Sequence, residues 1–205
     1  AEHWEGKGSF ASYHLLRMDE RKGKTAAVKQ ALEFINKTNK SDLVLMTDAD
    51  AMFELDTVPN LLKWFTDKSI GCVGATPKRI GQRIEEEGHR TLFSMVRHLE
   101  SKIDSTPFLE GSCMVWRTSS LDLEALHVTS NADDAQIATN VRIHGLRVIQ
   151  DSDAHFIDHA PFERKEHSRQ KVRRAQGLQR HLLRQREHYY NCLLYTSPSP
   201  RDGIL

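Results

Sequence analysis

Hydrophobic and polar positions follow two alternating patterns along the chain. Apolar side chains that recur every three or four residues predict helices over 25–38, 57–68, 85–103, 133–143 and about 163–188. Short unbroken apolar runs predict strands buried on both faces over 42–47, 70–75, 112–116 and 146–149, with a loop over 151–161. Strands and helices in this alternation indicate an α/β fold around a mostly parallel sheet flanked by helices.

The length and composition are those of a single globular domain. The chain has 205 residues, of which 39% are apolar and 28% charged, and it contains no internal repeat. Such a chain can bury a sufficient core by itself. Residues 192–205 break sharply in composition from the predicted helix before them and resemble a translated sequencing adaptor. We therefore expect 192–205 to be a non-native tail and 1–191 to carry the domain.

Charge and cysteine content exclude several classes of protein. With 29 basic and 28 acidic residues the formal net charge is +1, which gives no overall electrostatic basis for binding nucleic acid. The three cysteines show no C-x-x-C spacing, so neither a disulfide framework nor a zinc cluster is expected. No apolar run reaches the ~20 residues that a transmembrane helix requires.

Two aspartates, Asp48 and Asp50, directly follow the first predicted strand. In open α/β sheets, ligands bind beyond the carboxyl ends of the strands. Paired carboxylates there suit Mg²⁺ or Mn²⁺, which commonly share their ligands with phosphate oxygens. The alternative is a solvated loop with two ordinary aspartates.

A second acidic pair, Asp133 and Asp134, begins the predicted helix over 133–143. A carboxylate in this place can cap the helix by accepting backbone N–H groups. It can also serve as a general base, because nearby negative charge raises its pKa. Both interpretations stay open from the residues alone.

Basic residues concentrate in two places. Residues 164–186 hold nine Arg or Lys and one acidic residue, Glu166, which fits a solvated helix face, an RNA-binding arm or a membrane-surface helix. The same stretch contains no Phe, Tyr or Trp to stack on bases. Arg17, Arg21 and Lys24 precede the first predicted helix, whose N-terminus favours an anion, although exposed basic side chains are the default interpretation.

Taken in this order, these elements resemble a family 2 glycosyltransferase with the GT-A fold, over about 17–186. Thr47-Asp-Ala-Asp-Ala51 resembles the metal-binding D-x-D motif of that family, and Ala132-Asp-Asp134 resembles the element that carries its catalytic base. Gln170-Lys-Val-Arg-Arg174 is similar to the Q-x-x-R-W motif of cellulose, chitin and hyaluronan synthases, with arginine in place of the tryptophan. Glu100-Ser101 and Glu110-Gly-Ser-Cys113 fall where such enzymes line the acceptor channel.

The resemblance implies a role for each matched residue. The catalytic residues would be Asp134 as the base, Gln170 and Arg173. Asp48 and Asp50 would hold Mg²⁺ or Mn²⁺. The substrate-binding residues would be Lys24, Asp48, Glu110, Gly111, Asp133 and Arg174.

The resemblance also implies the reaction and its setting. A sugar would pass with inversion from a nucleotide-diphosphate sugar, with UDP as the first expectation, to a carbohydrate or lipid-linked acceptor, in polysaccharide synthesis. The first strand of the fold would lie ahead of residue 1, so that this sequence is N-terminally truncated. Attachment to the cytoplasmic face of a membrane would depend on segments outside it.

Three alternatives differ from this interpretation. Arg174 removes an aromatic surface on which a sugar ring could stack, which favours a non-processive transfer of one sugar to a lipid phosphate or small acceptor. A nucleotidyltransferase also needs clustered aspartates and a metal, but gives no reason for the Gln170–Arg174 element. A nucleic-acid-binding module would use the basic helix and leave Asp48, Asp50 and Asp134 without a role, so we expect no nucleic-acid partner.

Overall fold

The computed structural model describes residues 14–38, 41–80, 84–159 and 164–188. The tail expected over 192–205 lies outside these ranges. The helices are α1 (Lys24–Thr38), α2 (Thr57–Leu62, continued by a 3₁₀ turn over Lys63–Thr66), α3 (Ile84–Ile103), α4 (Asp133–Ile143) and α5 (Arg164–Arg184). The strands are β1 (Leu43–Thr47), β2 (Met52–Phe53), β3 (Ile70–Ile80), β4 (Cys113–Arg117) and β5 (Arg147–His159). None of the described helices is both long and apolar enough to cross a bilayer.

The strands form one five-stranded sheet in the order β1-β4-β3-β5-β2. The pairing corrects the expectation of a mostly parallel sheet, because only β3 and β5 pair in parallel and the other three pairings are antiparallel. β1, β3 and β5 point one way, and β4 is inserted antiparallel between β1 and β3. An unbroken apolar run reports burial on both faces and carries no information on direction, so the sequence pattern could not reveal this reversal.

The sheet separates two hydrophobic cores. Alternate side chains of β4 point to opposite faces, so Met114 and Trp116 join one core while Cys113 and Val115 join the other. The first core is closed by α1 and α4, which contribute Leu32, Ile137, Ala138 and Val141. The second is closed by α2 through Leu61. Because both faces are covered, the functional groups are confined to the edge where the strands end.

The other differences from the expected elements concern β3, β5 and β2. β3 continues to Ile80, and β5 runs through the region expected to be a loop over 151–161, as far as His159. The two strands pair again after a register shift between Gly74 and Thr76, where Asp151 accepts the backbone N–H groups of Asp153 and Ala154. Polar residues inside this bulge produce the loop-like pattern. The two-residue β2 is too short to give a signal.

Gly145 follows the end of α4, with a φ of 80° that L-residues with side chains rarely adopt. Gly71 is required for a different reason. A Cβ at Gly71 would lie 2.5 Å from Cγ1 of Val141 and 2.7 Å from Cβ of Leu146, so β3 can approach α4 only where a side chain is missing.

We expect Gly71→Ala to lower the free energy of unfolding by about 2–3 kcal/mol, because overpacking a filled core typically costs ~1–3 kcal/mol. Gly74→Ala is the matched control in the same strand. Its Cβ would meet Cδ2 of Leu109 at 2.8 Å, the movable end of a side chain, so the loss should be smaller. Urea unfolding of both variants measures this, and an equal or reversed order would contradict the packing described.

Candidate active site

Asp48 lies at the end of β1 with both carboxylate oxygens engaged. The ammonium of Lys24, at the start of α1, donates to Oδ1 over 2.6 Å. The hydroxyl of Ser112, in the residue before β4, donates to Oδ2 over 2.8 Å. Since β4 is the antiparallel neighbour of β1, the end of one strand meets the beginning of the other. This pairing fixes the orientation of the carboxylate.

Lys24 also joins the second acidic pair to the first. Its Nζ lies 3.2 Å from Oδ2 of Asp133, a residue that is only 8% exposed. That oxygen accepts no hydrogen bond of good geometry. Burial opposes the charge on Lys24, but Asp133 and Asp48 outweigh it and raise the pKa of the ammonium. The aspartate–lysine cluster of Lys24, Asp48 and Asp133 therefore holds one cation between two anions and keeps a net negative charge.

Asp50 is exposed and lies in the turn that follows Asp48, which the backbone N–H of Ala51 closes by donating to the Asp48 carbonyl over 3.2 Å. Within the described ranges, no three His, Cys, Asp or Glu side chains converge as a metal site. The donors nevertheless fit a hard cation, since they are oxygens and the two carboxylates of Asp48 and Asp133 share the single positive charge of Lys24. Mg²⁺ and Mn²⁺ sites commonly use one or two carboxylates and take further oxygens from substrate phosphates.

Asp134 is half-buried at the start of α4. Burial and the neighbouring Asp133 charge raise the pKa of Asp134 to about 6, and the charge of Glu110 acts in the same direction. Its Oδ1 accepts the N–H of Ala135 over 2.8 Å. Gly111 lies against this side chain, and a Cβ there would be 3.2 Å from Cβ of Asp134 and 3.5 Å from its Oδ2. A glycine at 111 thus leaves the space beside the carboxylate open.

The structure does not give either aspartate the helix-capping role. The N-cap residue of α4 is Ala132, which makes no side-chain cap hydrogen bond. Asp133 and Asp134 instead occupy the first turn of the helix, where the positive end of the helix dipole stabilises an anion. Burial and the Asp133 charge raise the pKa of Asp134, and the N–H of Ala135 lowers it, so that it stays near 6. A carboxyl group with such a pKa can accept a proton near neutral pH.

Glu110 forms an ion pair with Arg97 of α3, over 2.8 Å. The pair lies mostly out of solvent and holds α3 against the loop that leads to Gly111. Ser101 has a structural position, since its hydroxyl donates to the Arg97 carbonyl over 2.6 Å and accepts the N–H of Gln150 over 2.8 Å. Of the two segments expected along the acceptor channel, Glu110–Cys113 lies beside Asp134 through Gly111, whereas Ser101 contacts Arg97 and Gln150.

The remaining site candidates lie on α5. Gln170 is half-buried, while Arg173 and Arg174 are exposed. Across the described residues, no ion pair links either arginine to the aspartate–lysine cluster. The structure therefore brings together Lys24, Asp48, Asp133 and Asp134 and leaves the α5 arginines free to meet a ligand.

Sequence reasoning missed two groups at this site. The sequence pattern gives Ser112 no role beyond its place in the Glu110–Cys113 segment, although its hydroxyl orients Asp48, and it gives Arg97 no role. Ser112 contacts Asp48, which is 64 positions away in the sequence, and Arg97 contacts Glu110, which is 13 positions away. No periodicity or motif signals such a contact, because strand pairing and helix packing create it.

Three comparisons relate the chain to known proteins. The sequence profile described as glycosyltransferase like family 2 matches residues 14–177. A solved mannosyltransferase from Pyrobaculum calidifontis, in complex with GDP-Man and Mn²⁺, is similar with 27% identity and a TM-score of 0.70, over 83% of this chain and 46% of that protein. The chain thus spans about half the length of this relative. Mannosyl-3-phosphoglycerate synthase from Rubrobacter xylanophilus has 20% identity and a TM-score of 0.47, over 90% of this chain and 56% of that one. No curated protein matches significantly.

Proposed function

The chain belongs to glycosyltransferase family 2, and we propose that it transfers a sugar from a nucleotide sugar to an acceptor hydroxyl with inversion, at the edge of the sheet where Lys24, Asp48, Asp133 and Asp134 meet. The observation that carries this proposal is the position of Asp134 together with its raised pKa. A half-buried carboxyl with a pKa near 6 lies directly beside a cluster suited to a diphosphate and its cation. A base and an anion-and-metal site side by side are what direct displacement at an anomeric carbon requires.

The chemistry divides among the chain's own residues. Asp134 accepts the proton of the acceptor hydroxyl as its oxygen forms the bond to the anomeric carbon. The bond from that carbon to the donor diphosphate breaks on the opposite face, which inverts the configuration. Lys24, with Arg173 and Arg174, supplies positive charge to the departing diphosphate. Gln170 hydrogen-bonds the acceptor, and Gly111 and Glu110 border the space that it enters.

Asp48 and Asp50 are the residues that would hold a divalent ion. When bound, Mg²⁺ or Mn²⁺ neutralises charge on the diphosphate oxygens. Ser112 orients Asp48 for this role, and Lys24 exchanges part of its contact with Asp48 for the donor phosphate. Asp133 keeps Lys24 close to the site during that exchange.

The identities of donor and acceptor are the finer part of the proposal. The resemblance of the motifs to family 2 enzymes favours UDP. The mannosyltransferase that this chain resembles is bound to GDP-Man, which makes GDP the second nucleotide to test. A carbohydrate or lipid-linked acceptor, a role in polysaccharide synthesis and attachment to a membrane stay predictions. Arg174 in place of an aromatic residue supports transfer of a single sugar as the second candidate.

The proposal predicts a pH dependence with a definite sign. Asp134 must be ionised to accept a proton, so kcat/KM should rise about tenfold per pH unit below pH 6 and level off above it. Release of nucleoside diphosphate from GDP- and UDP-sugars with Mn²⁺, followed from pH 5 to 8, measures this. Donor binding at pH 5 and pH 7 is the control. Turnover that does not change between pH 5 and 7 would rule out Asp134 as the base.

A further inference from the structure

α5 carries three of the proposed site residues, and its position depends on a small number of contacts with α4. One of them is a backbone approach. Gly177 is buried, and a Cβ there would lie 3.3 Å from both the carbonyl carbon and Cβ of Asn131. Carbon atoms in unstrained contact stay ~3.5–4.0 Å apart. Glycine therefore permits α5 to come closer to the segment before α4 than any other residue would.

The second contact lies one turn further along α5. His181 is 1% exposed, and its Nε2 is 2.9 Å from the hydroxyl of Thr139, in the middle of α4. Burial, together with the charges of Arg184 and His127, lowers the pKa of His181 to about 4. The imidazole is therefore neutral near pH 7 and can remain buried between the two helices.

These two contacts fix the direction in which α5 runs. From Gly177 to His181 the partner changes from Asn131 to Thr139, so α5 advances along α4 in the same sense. The earlier part of α5 must then extend beyond the N-terminal end of α4, where Asp133 and Asp134 lie. At about 1.5 Å per residue, Arg174 lies roughly 5 Å and Gln170 roughly 10 Å beyond Gly177 along the helix.

The spacing also selects one face of α5. Steps of three or four residues join Gln170, Arg174, Gly177 and His181, so all four lie on the same face. The contacts that hold this face against α4 therefore determine where the first two of these side chains point. Arg173 precedes Gly177 by four residues and borders the same face.

We propose that Gly177 and His181 are positioning residues, which hold α5 on α4 so that Gln170, Arg173 and Arg174 meet the reacting groups beside Asp134. This inference rests on the proposed function. Asn131 and Thr139, the partners of Gly177 and His181, are three and five residues away from Asp134 along the chain. A displacement of α5 at these contacts therefore moves its three site side chains together relative to Asp134. A misplacement of about 1 Å at a reacting centre can lower a rate by ~10²-fold.

Gly177→Ala is the decisive variant, because helix propensity predicts that alanine is tolerated at 177 whereas the close contact with Asn131 predicts that α5 is displaced. Alanine favours a helix more than glycine does, so a glycine without a packing role should tolerate the change. With the contact described, we expect kcat to fall at least tenfold while donor Kd stays within about twofold, since Lys24 and Asp48 lie on other elements. Gln179→Ala, on the exposed opposite side of α5, is the matched control and should keep wild-type kcat.

Thr139→Val tests the second contact independently, by removing the hydroxyl at nearly constant volume, and should lower kcat in the same way without changing donor Kd. Circular dichroism confirms that each variant keeps its helix content. Wild-type kcat in Gly177→Ala, or an equal loss in Gln179→Ala, would overturn the positioning role and leave the proposed function intact. A wild-type protein that turns over no nucleotide sugar would overturn both.

Discussion

Asp134→Asn should lower kcat by about 10²–10⁴-fold, the range that general base catalysis typically contributes. Asparagine has nearly the same shape, and its amide oxygen can still accept the N–H of Ala135. It cannot accept a proton from an attacking hydroxyl. Neither Lys24 nor Asp48 bonds the Asp134 side chain, so donor affinity should stay close to that of the wild type.

The same substitution should stabilise the fold. The pKa of Asp134 is raised from 3.8 to about 6, so the ionised carboxylate costs folded-state stability above pH 6, and the cost disappears as the pH falls toward 4. Asparagine carries no such cost. We expect a gain of roughly 1–3 kcal/mol at pH 7.5 that shrinks toward zero near pH 4.

Steady-state transfer, donor titration and urea unfolding at two pH values together test this prediction. Loss of catalysis with retained donor binding and higher stability at pH 7.5 is the expected combination. Wild-type kcat in Asp134→Asn would remove the base assignment. Loss of donor binding would show that Asp134 holds the donor and does not act on the acceptor.

Lys24→Met should produce the second large effect. Methionine keeps much of the aliphatic length but removes the cation that lies between Asp48 and Asp133. Losing a preorganised charge on a leaving group typically costs ~10²–10³-fold in rate. The buried Asp133 oxygen also loses its ion-pair partner, so unfolding should become easier by about 1 kcal/mol.

Lys22→Met is the matched control two residues earlier. Lys22 is exposed and lies 3.6 Å from Glu20, away from the aspartate–lysine cluster. It should retain both activity and stability. Equal losses in Lys22→Met and Lys24→Met would mean that a general reduction in positive charge, and not the cluster, accounts for the effect.

Local pattern was sufficient to predict much of the fold and the position of Asp48. The apolar run of β1 ends where polar residues begin, and this change places Asp48 at the sheet edge without knowledge of any partner. Gly145 likewise marks the end of α4. The direction of β4 and the continuation of β5 past Asp151 were not predictable, because strand pairing decides the first and a side chain within a bulge decides the second.

The site was predicted as separate groups rather than as an arrangement. Asp48 and Asp133 are 85 positions apart, and the sequence gives no indication that the Lys24 ammonium lies between them. Chain entry into α1 and the packing of α1 and α4 on one face of the sheet create that contact. The aspartates carry chemical meaning in the sequence, whereas the lysine acquires its meaning only from the fold.

The most direct test of the account is calorimetric titration of the protein with GDP and with UDP, each with and without Mn²⁺, repeated on Asp48→Asn. We expect saturable binding of at least one nucleotide in the presence of Mn²⁺, weakened tenfold or more by removal of the metal and by the substitution. The preferred base would then identify the donor class. Binding of equal strength in all conditions, or none from folded wild-type protein, would contradict a metal-assisted diphosphate site at Asp48.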